Sequence, residues 1–176
     1  MDSLFASGSW SGIWVESGSN QNPERDRPLD SPSQSNPDSA KKRRQILIVE
    51  DNRADVFLIR ESLERAQLEA DLHVVHDGDK AIRFLEAADL DPRAPIPDLI
   101  ILDINLPKRS GREVIRRMRQ SFRCSHALVV VVTSSDSERD REEVGKFGIN
   151  AYFRKPSEYA SFMKLGEVVN GLLNKA

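Results

Sequence analysis

The stretch Pro97 to Gly111, PDLIILDINLPKRSG, restricts the fold more than any other part of the chain. Leu99, Ile100, Ile101 and Leu102 form a short, unbroken apolar run, β-branched in its middle, which is the pattern of a strand buried on both faces. The run stops on Asp103. Beyond it Asn105, Leu106 and Pro107 interrupt regular structure, and Gly111 precedes helical spacing in Glu113, Val114, Ile115 and Met118. Ligands of open α/β sheets gather outside the carboxyl ends of the strands, so Asp103 is a candidate reactive group. Taken alone, the same carboxylate could equally open a turn.

The remainder of the chain from Gln45 repeats this plan. Ile46 to Val49 is a second buried run, ending on Glu50 and Asp51, and Asn52 or Asp51 can cap a helix carrying Val56, Ile59, Leu63 and Ala66 at helical spacing. Leu72 to His76 is a shorter strand, which Asp77, Gly78 and Asp79 turn into a helix with Ala81, Ile82 and Leu85. Pro92, Pro95 and Pro97 mark Asp89 to Pro97 as a loop. Ala127 to Val132 is a strand ending on Thr133, Ser134 and Ser135, followed by a charged helix from about Ser137 to Phe147, interrupted by Gly145. Ala151 to Arg154 is a fifth strand ending on Lys155 and Pro156, and Glu158 to Leu173 is a final amphipathic helix. Five strands alternating with five helices imply right-handed crossovers and a doubly wound parallel sheet.

Composition bounds what such a chain can be. With 176 residues and 39% hydrophobic content it buries one full core and hardly two. A net charge of −2 does not favour nucleic acid or an anionic membrane as partner. No apolar run approaches the roughly 20 residues of a membrane helix, the start lacks the pattern of a secretory signal, and Cys124 has no intramolecular cysteine to pair with. A cytoplasmic location is expected. Ten of the first 40 residues are serine, and Pro23, Pro28, Pro32 and Pro37 recur without periodicity, so residues 1–44 read as a disordered extension and residues 45–176 as the domain. Within the extension, Trp10 to Val15 is an apolar patch that could dock on a partner or on the domain, and Lys41 to Arg44 is a basic run read as a solubilising flank.

Function is written in where the polar residues fall. Glu50 with Asp51, Asp103, Thr133 and Lys155 each follow a different strand, so folding brings four distant segments to one edge of the sheet. Three carboxylates a few ångströms apart repel by about 1 to 4 kcal/mol per pair, and an oxygen-only set of this kind calls for a hard divalent cation, Mg²⁺. A carboxylate beside a bound metal can attack phosphorus as a nucleophile. A hydroxyl from Thr133 and the charge of Lys155 are the donors that phosphoryl transfer requires. No GK[ST] phosphate loop occurs, so the phosphoryl donor is not expected to be a bound nucleotide.

These residues resemble the response-regulator receiver domain of two-component signalling: ILIVED with Glu50 and Asp51, LIILDINLP with Asp103, VVVVTSS with Thr133, and AYFRKP with Tyr152 and Lys155. The resemblance implies a flavodoxin-like (βα)5 fold with strand order 2-1-3-4-5. It implies that Asp103 accepts phosphate from a sensor kinase phosphohistidine. It further implies that Asp51 and Asp103 coordinate Mg²⁺ directly, with Glu50 acting through water and Asn105 through its backbone carbonyl. Thr133 and Lys155 would bind the phosphoryl group, Tyr152 would move inward with Thr133, and the Lys155–Pro156 peptide would be cis, as proline permits. Such a protein is a phosphoacceptor rather than an enzyme.

DINLPKRSGREV and the proline-rich loop before it look most like stand-alone receivers that partner bacterial phytochrome-type histidine kinases. With little chain after the last helix, output is expected through a protein target or a phosphorelay protein. The natural surface is the face of the fourth helix, fifth strand and fifth helix, where receivers pair as homodimers and where Tyr159 and Phe162 are candidates. Asn105 and Ser135 flank the approach of attacking water and would tune the lifetime of the acyl phosphate. Two alternatives stay open. A pseudo-receiver that works without phosphorylation is disfavoured by the intact acidic pair, Asp103 and Lys155. A haloacid-dehalogenase-type phosphotransferase would need a second Asp where Asn105 stands. His73, His76 and His126 lack metal-ligand spacing.

Overall fold

Each buried run becomes a strand because its side chains alternate between two apolar faces and find cover on both. The computed structural model describes residues 43–175. In it, β1 (Arg44–Val49), β2 (Ala70–Val75), β3 (Leu99–Leu102), β4 (Leu128–Thr133) and β5 (Ala151–Arg154) form one parallel sheet in the order β2-β1-β3-β4-β5. Ile46 pairs with Leu99, and Leu99 with Leu128. This register sorts the central strands cleanly. Leu47, Val49, Ile100, Leu102, Val129 and Val131 face one layer, and Ile46, Ile48, Leu99, Ile101, Val130 and Val132 face the other.

The helices that cover these faces are α1 (Arg53–Arg65), α2 (Gly78–Leu90), α3 (Gly111–Arg119), α4 (Glu138–Gly145), α5 (Tyr159–Phe162) and α6 (Lys164–Leu173). Ala81, Leu85, Val114, Ile115 and Met118 of α2 and α3 pack on the first face; Ile59 and Leu63 of α1, with Phe162, Leu165 and Val169, pack on the second. Side chains that satisfy free N–H groups set the helix starts: Asn52 accepts from the Ala54 N–H, Asp77 from that of Lys80 and Ser137 from that of Asp140, while Ser110 and Glu113 form a reciprocal capping box.

The fold follows the expected alternation with one difference: the terminal helix is two pieces. The Gly166 N–H bonds the Met163 carbonyl three residues back, a tighter turn that separates α5 from α6. Here the chain must also come very close to α1, since a Cβ on Gly166 would sit 1.9 Å from the Ser62 carbonyl oxygen. The proposed docking patch Trp10–Val15 and the residues 1–42 of the serine-rich extension lie outside the described residues. Of the basic run, Arg43 and Arg44 are described, and they pair with Asp71 at 3.5 Å and Asp98 at 3.6 Å.

Candidate functional site

Parallel strands that end together deliver their next residues to a common edge. Val49 pairs with Leu102, and the Asp103 N–H bonds the Val49 carbonyl at 3.0 Å, so Glu50 and Asp103 leave adjacent strands side by side. Farther along the sheet, the Lys155 N–H bonds the Thr133 carbonyl at 2.8 Å. The result is a pocket of charge. Glu50, Asp51 and Asp103 each offer a carboxylate oxygen, and these oxygens lie within 4.8 Å of one another. Lys155 Nζ donates to Asp103 Oδ2 at 2.7 Å and to Glu50 Oε2 at 2.8 Å.

A third carboxylate also meets this ammonium. Asp55 Oδ2 accepts from Lys155 Nζ at 2.8 Å. Sequence reasoning missed Asp55 because it belongs to no strand end; the only local signal is its place in the first turn of α1, four residues beyond Asp51.

Burial sets the electrostatics. Glu50 is 1% exposed, and burial pushes its carboxyl up to about 7, with the hydrogen bond and charge of Lys155 opposing the rise and Asp103 adding to it. For Lys155 burial acts downward, but the bonds to Asp103, Asp55 and Glu50 outweigh it and hold the ammonium above its ordinary range. The donor set is all oxygen, closely spaced and richer in negative charge than one lysine can balance, which suits a hard divalent cation such as Mg²⁺.

The loops tie Asp103 into place. Asp103 Oδ1 accepts from the Asn105 N–H at 2.9 Å, and the Gly111 N–H bonds the Ile104 carbonyl at 3.0 Å. A Cβ on Gly111 would lie 2.4 Å from the Asp103 carbonyl oxygen, so the start of α3 presses on the site as only glycine allows. Lys108, at φ +67°, sends Nζ to Asp77 Oδ2 at 2.7 Å and ties the β3–α3 loop to the cap of α2. Burial raises the Asp77 carboxyl, but Lys108 and the Lys80 N–H overcome it and leave it below the ordinary range.

Thr133 is fully buried and its Oγ1 accepts from the Ser135 N–H at 3.2 Å. Ser135 Oγ donates to Asp140 of α4 at 2.6 Å, and Arg112 of α3 pairs with both Asp140 and Glu143. Tyr152 is half-buried; its hydroxyl donates to the Ser135 carbonyl at 3.2 Å, and the Arg141 guanidinium lies 5.6 Å from its ring centre. Ser135, Arg141, Tyr152 and Arg154 line an open depression of about 290 Å³.

One expectation is corrected: every peptide bond among the described residues is trans, Lys155–Pro156 included. The trans form is the ordinary preference by about 0.5–1 kcal/mol, and with it Lys155 already reaches Asp103. Other residues singled out in the sequence find local partners. His73 Nε2 meets Gln45 Oε1 at 2.7 Å, and His76 Nδ1 meets the Glu50 carbonyl at 2.9 Å. Cys124 and Phe162 are buried in the core, whereas Tyr159 is exposed and its hydroxyl bonds Glu61.

Comparison with known proteins gives this arrangement counterparts. Residues 46–165 match the family model of the response regulator receiver domain. Response regulator Rcp1 of Synechocystis is 35% identical over 120 residues, covering 68% of this chain and 82% of the relative. The crystal structure of the phosphorylated cyanobacterial phytochrome response regulator RcpA superposes with a TM-score of 0.69 at 31% identity, covering 76% of this chain and 96% of that one. The Mn²⁺-bound form of Rcp1 gives a TM-score of 0.68 at 32% identity over the same shares.

Proposed function

Since the chain belongs to the response regulator receiver domain family, we propose that Asp103 accepts a phosphoryl group from the phosphohistidine of a sensor histidine kinase, and that this modification switches a protein-interaction surface. One observation carries the reading: Lys155 Nζ is 2.7 Å from Asp103 Oδ2, within a set of Glu50, Asp51 and Asp103 oxygens lying within 4.8 Å of one another.

In the step itself an Asp103 carboxylate oxygen bonds to phosphorus as the P–N bond breaks. The electron pair goes to the imidazole, which leaves neutral once its other nitrogen carries a proton. Glu50, Asp51, Asp103 and the Asn105 backbone carbonyl would hold Mg²⁺, whose chemistry is to neutralise charge on the phosphoryl oxygens. Lys155 turns its ammonium from Asp103 toward those oxygens, and the Thr133 hydroxyl, whose oxygen accepts from the Ser135 N–H, donates its own hydrogen to them. Pulling Thr133 inward draws on the Ser135 segment, to which the Tyr152 hydroxyl is bonded, so Tyr152 follows. The change thereby reaches α4, β5 and the terminal helix formed by α5 and α6, the face proposed for a downstream protein, a phosphorelay partner or a second copy. Phosphorylation favours the active arrangement only through the difference in its interactions between two states.

Similarity to RcpA, a cyanobacterial phytochrome response regulator, favours a phytochrome-type kinase as the source of phosphate. No helix among the described residues is long and apolar enough to cross a membrane, which is compatible with a cytoplasmic place of action. The test is adduct formation with acetyl phosphate and Mg²⁺, followed by intact mass. The wild type is expected to gain one phosphoryl group and Asp103→Asn none; an adduct persisting in Asp103→Asn, or turnover of many phosphate esters without an adduct, rejects the proposal.

A further inference from the structure

Lys155 is held by one carboxylate more than the chemistry above uses. Its ammonium has three hydrogens, and they go to Glu50, Asp55 and Asp103 at 2.7–2.8 Å. Two of these acceptors have a second claimant. Asp103 exchanges the lysine for a phosphoryl group, and Glu50 belongs to the oxygen set that fits a cation. Asp55 lies outside that oxygen set, and it does not cap its helix either, since Asn52 already accepts from the Ala54 N–H at 2.9 Å.

We propose that Asp55 is a positioning residue: it keeps the Lys155 ammonium at the mouth of the site while the other two acceptors are engaged elsewhere. This rests on the receiver reading of Asp103. The geometry suits the task. Asp55 is on the first turn of α1, a rigid element, and its side chain is 21% exposed against 11% for Lys155, so the bond is mostly shielded from water. A lysine side chain has four rotatable C–C bonds, and a partner that persists through the reaction spares the cost of ordering them anew at each phosphorylation.

The sign of the effect separates positioning from bulk charge. Removing a carboxylate near the site lowers the repulsion felt by an anionic donor, so charge alone predicts faster phosphorylation by acetyl phosphate. Positioning predicts slower.

The experiment compares full-length wild type, Asp55→Ala, Asp55→Glu and Asp103→Asn with acetyl phosphate and Mg²⁺, reading the rate of adduct formation by intact mass. Asp55→Ala is expected to react about tenfold more slowly, the worth of one charge-assisted hydrogen bond at the weak end of its range, and Asp55→Glu is expected to recover most of the rate. In parallel, the ¹⁵N-ammonium signal of Lys155 is recorded in the metal-free proteins. It is expected to exchange faster with water in Asp55→Ala, although Glu50 and Asp103 remain. A wild-type or faster rate in Asp55→Ala, or an ammonium signal unmoved by the substitution, overturns the proposal. Absence of an Asp103-dependent adduct in the wild type would instead refute the receiver reading, and the ammonium exchange would still decide the role of Asp55.

Discussion

Replacing Lys155 by methionine keeps the length of the stem and removes the charge that holds three carboxylates together. Each contact at 2.7–2.8 Å has a gross attraction of about 6 kcal/mol at an effective dielectric constant of roughly 20. Desolvation of the ammonium offsets much of this in the wild type, and removing one partner of a buried ion pair has a net cost of about 3–5 kcal/mol. The opening toward solvent at Asp55 favours the lower end. A loss of about 3 kcal/mol corresponds to a fall in melting temperature of roughly 10 °C for a domain of this size. The assay is thermal unfolding in EDTA at a pH above 7, where Glu50 of the wild type is mostly ionised. It is followed by far-UV circular dichroism, because both tryptophans, Trp10 and Trp14, precede the receiver domain matched at residues 46–165. Saturating Mg²⁺ supplies positive charge to the same carboxylates, so it should stabilise Lys155→Met more than the wild type. Equal melting temperatures in EDTA, or equal stabilisation of both proteins by Mg²⁺, would refute the reasoning.

Further expectations concern protonation, packing and coupling. Glu50 is raised from 4.5 to about 7, so the folded metal-free protein binds that proton more tightly than the unfolded chain; its contribution to stability is full below pH 4.5 and lost as pH rises through 7. Glu50→Gln should flatten that slope in urea titrations. Asp77 is lowered from 3.8, so its contribution is present above pH 3.8 and disappears as pH falls through the depressed value; Lys108→Ala should shrink this loss in acid unfolding. Gly166→Ala should destabilise by about 1–3 kcal/mol through overlap with the Ser62 carbonyl. Gly171→Ala, in open space on the same helix, should be neutral or stabilising by up to about 1 kcal/mol, both read from chemical denaturation. Asp140→Ala breaks the ties to Ser135 and Arg112, and hydrogen exchange should show α4, residues 138–145, losing protection while β4 keeps it.

The sequence by itself determined the sheet and its chemistry-bearing edge. Leu99 to Leu102, Ile46 to Val49 and Val129 to Val132 can be satisfied only between two covering layers, and the residue at which such a run stops is readable without coordinates. The placement of Glu50, Asp51, Asp103 and Lys155 just past strand ends, and of Thr133 at the end of its strand, followed from that local pattern, as did a cap for the first helix at Asn52 or Asp51, of which Asn52 is the one used. Tertiary structure alone decided which groups meet across long separations. Asp55 reaches Lys155, 100 positions away, through the rotation of α1 about its axis against the sheet, and Arg112 reaches Asp140 through the packing of α3 beside α4. The turn at Met163 and the bare Gly166 arise because α6 is pressed onto the Ser62 carbonyl. Periodicity records which face of an element is buried; the phase and depth at which two faces meet depend on every side chain between them, and no single segment carries that information.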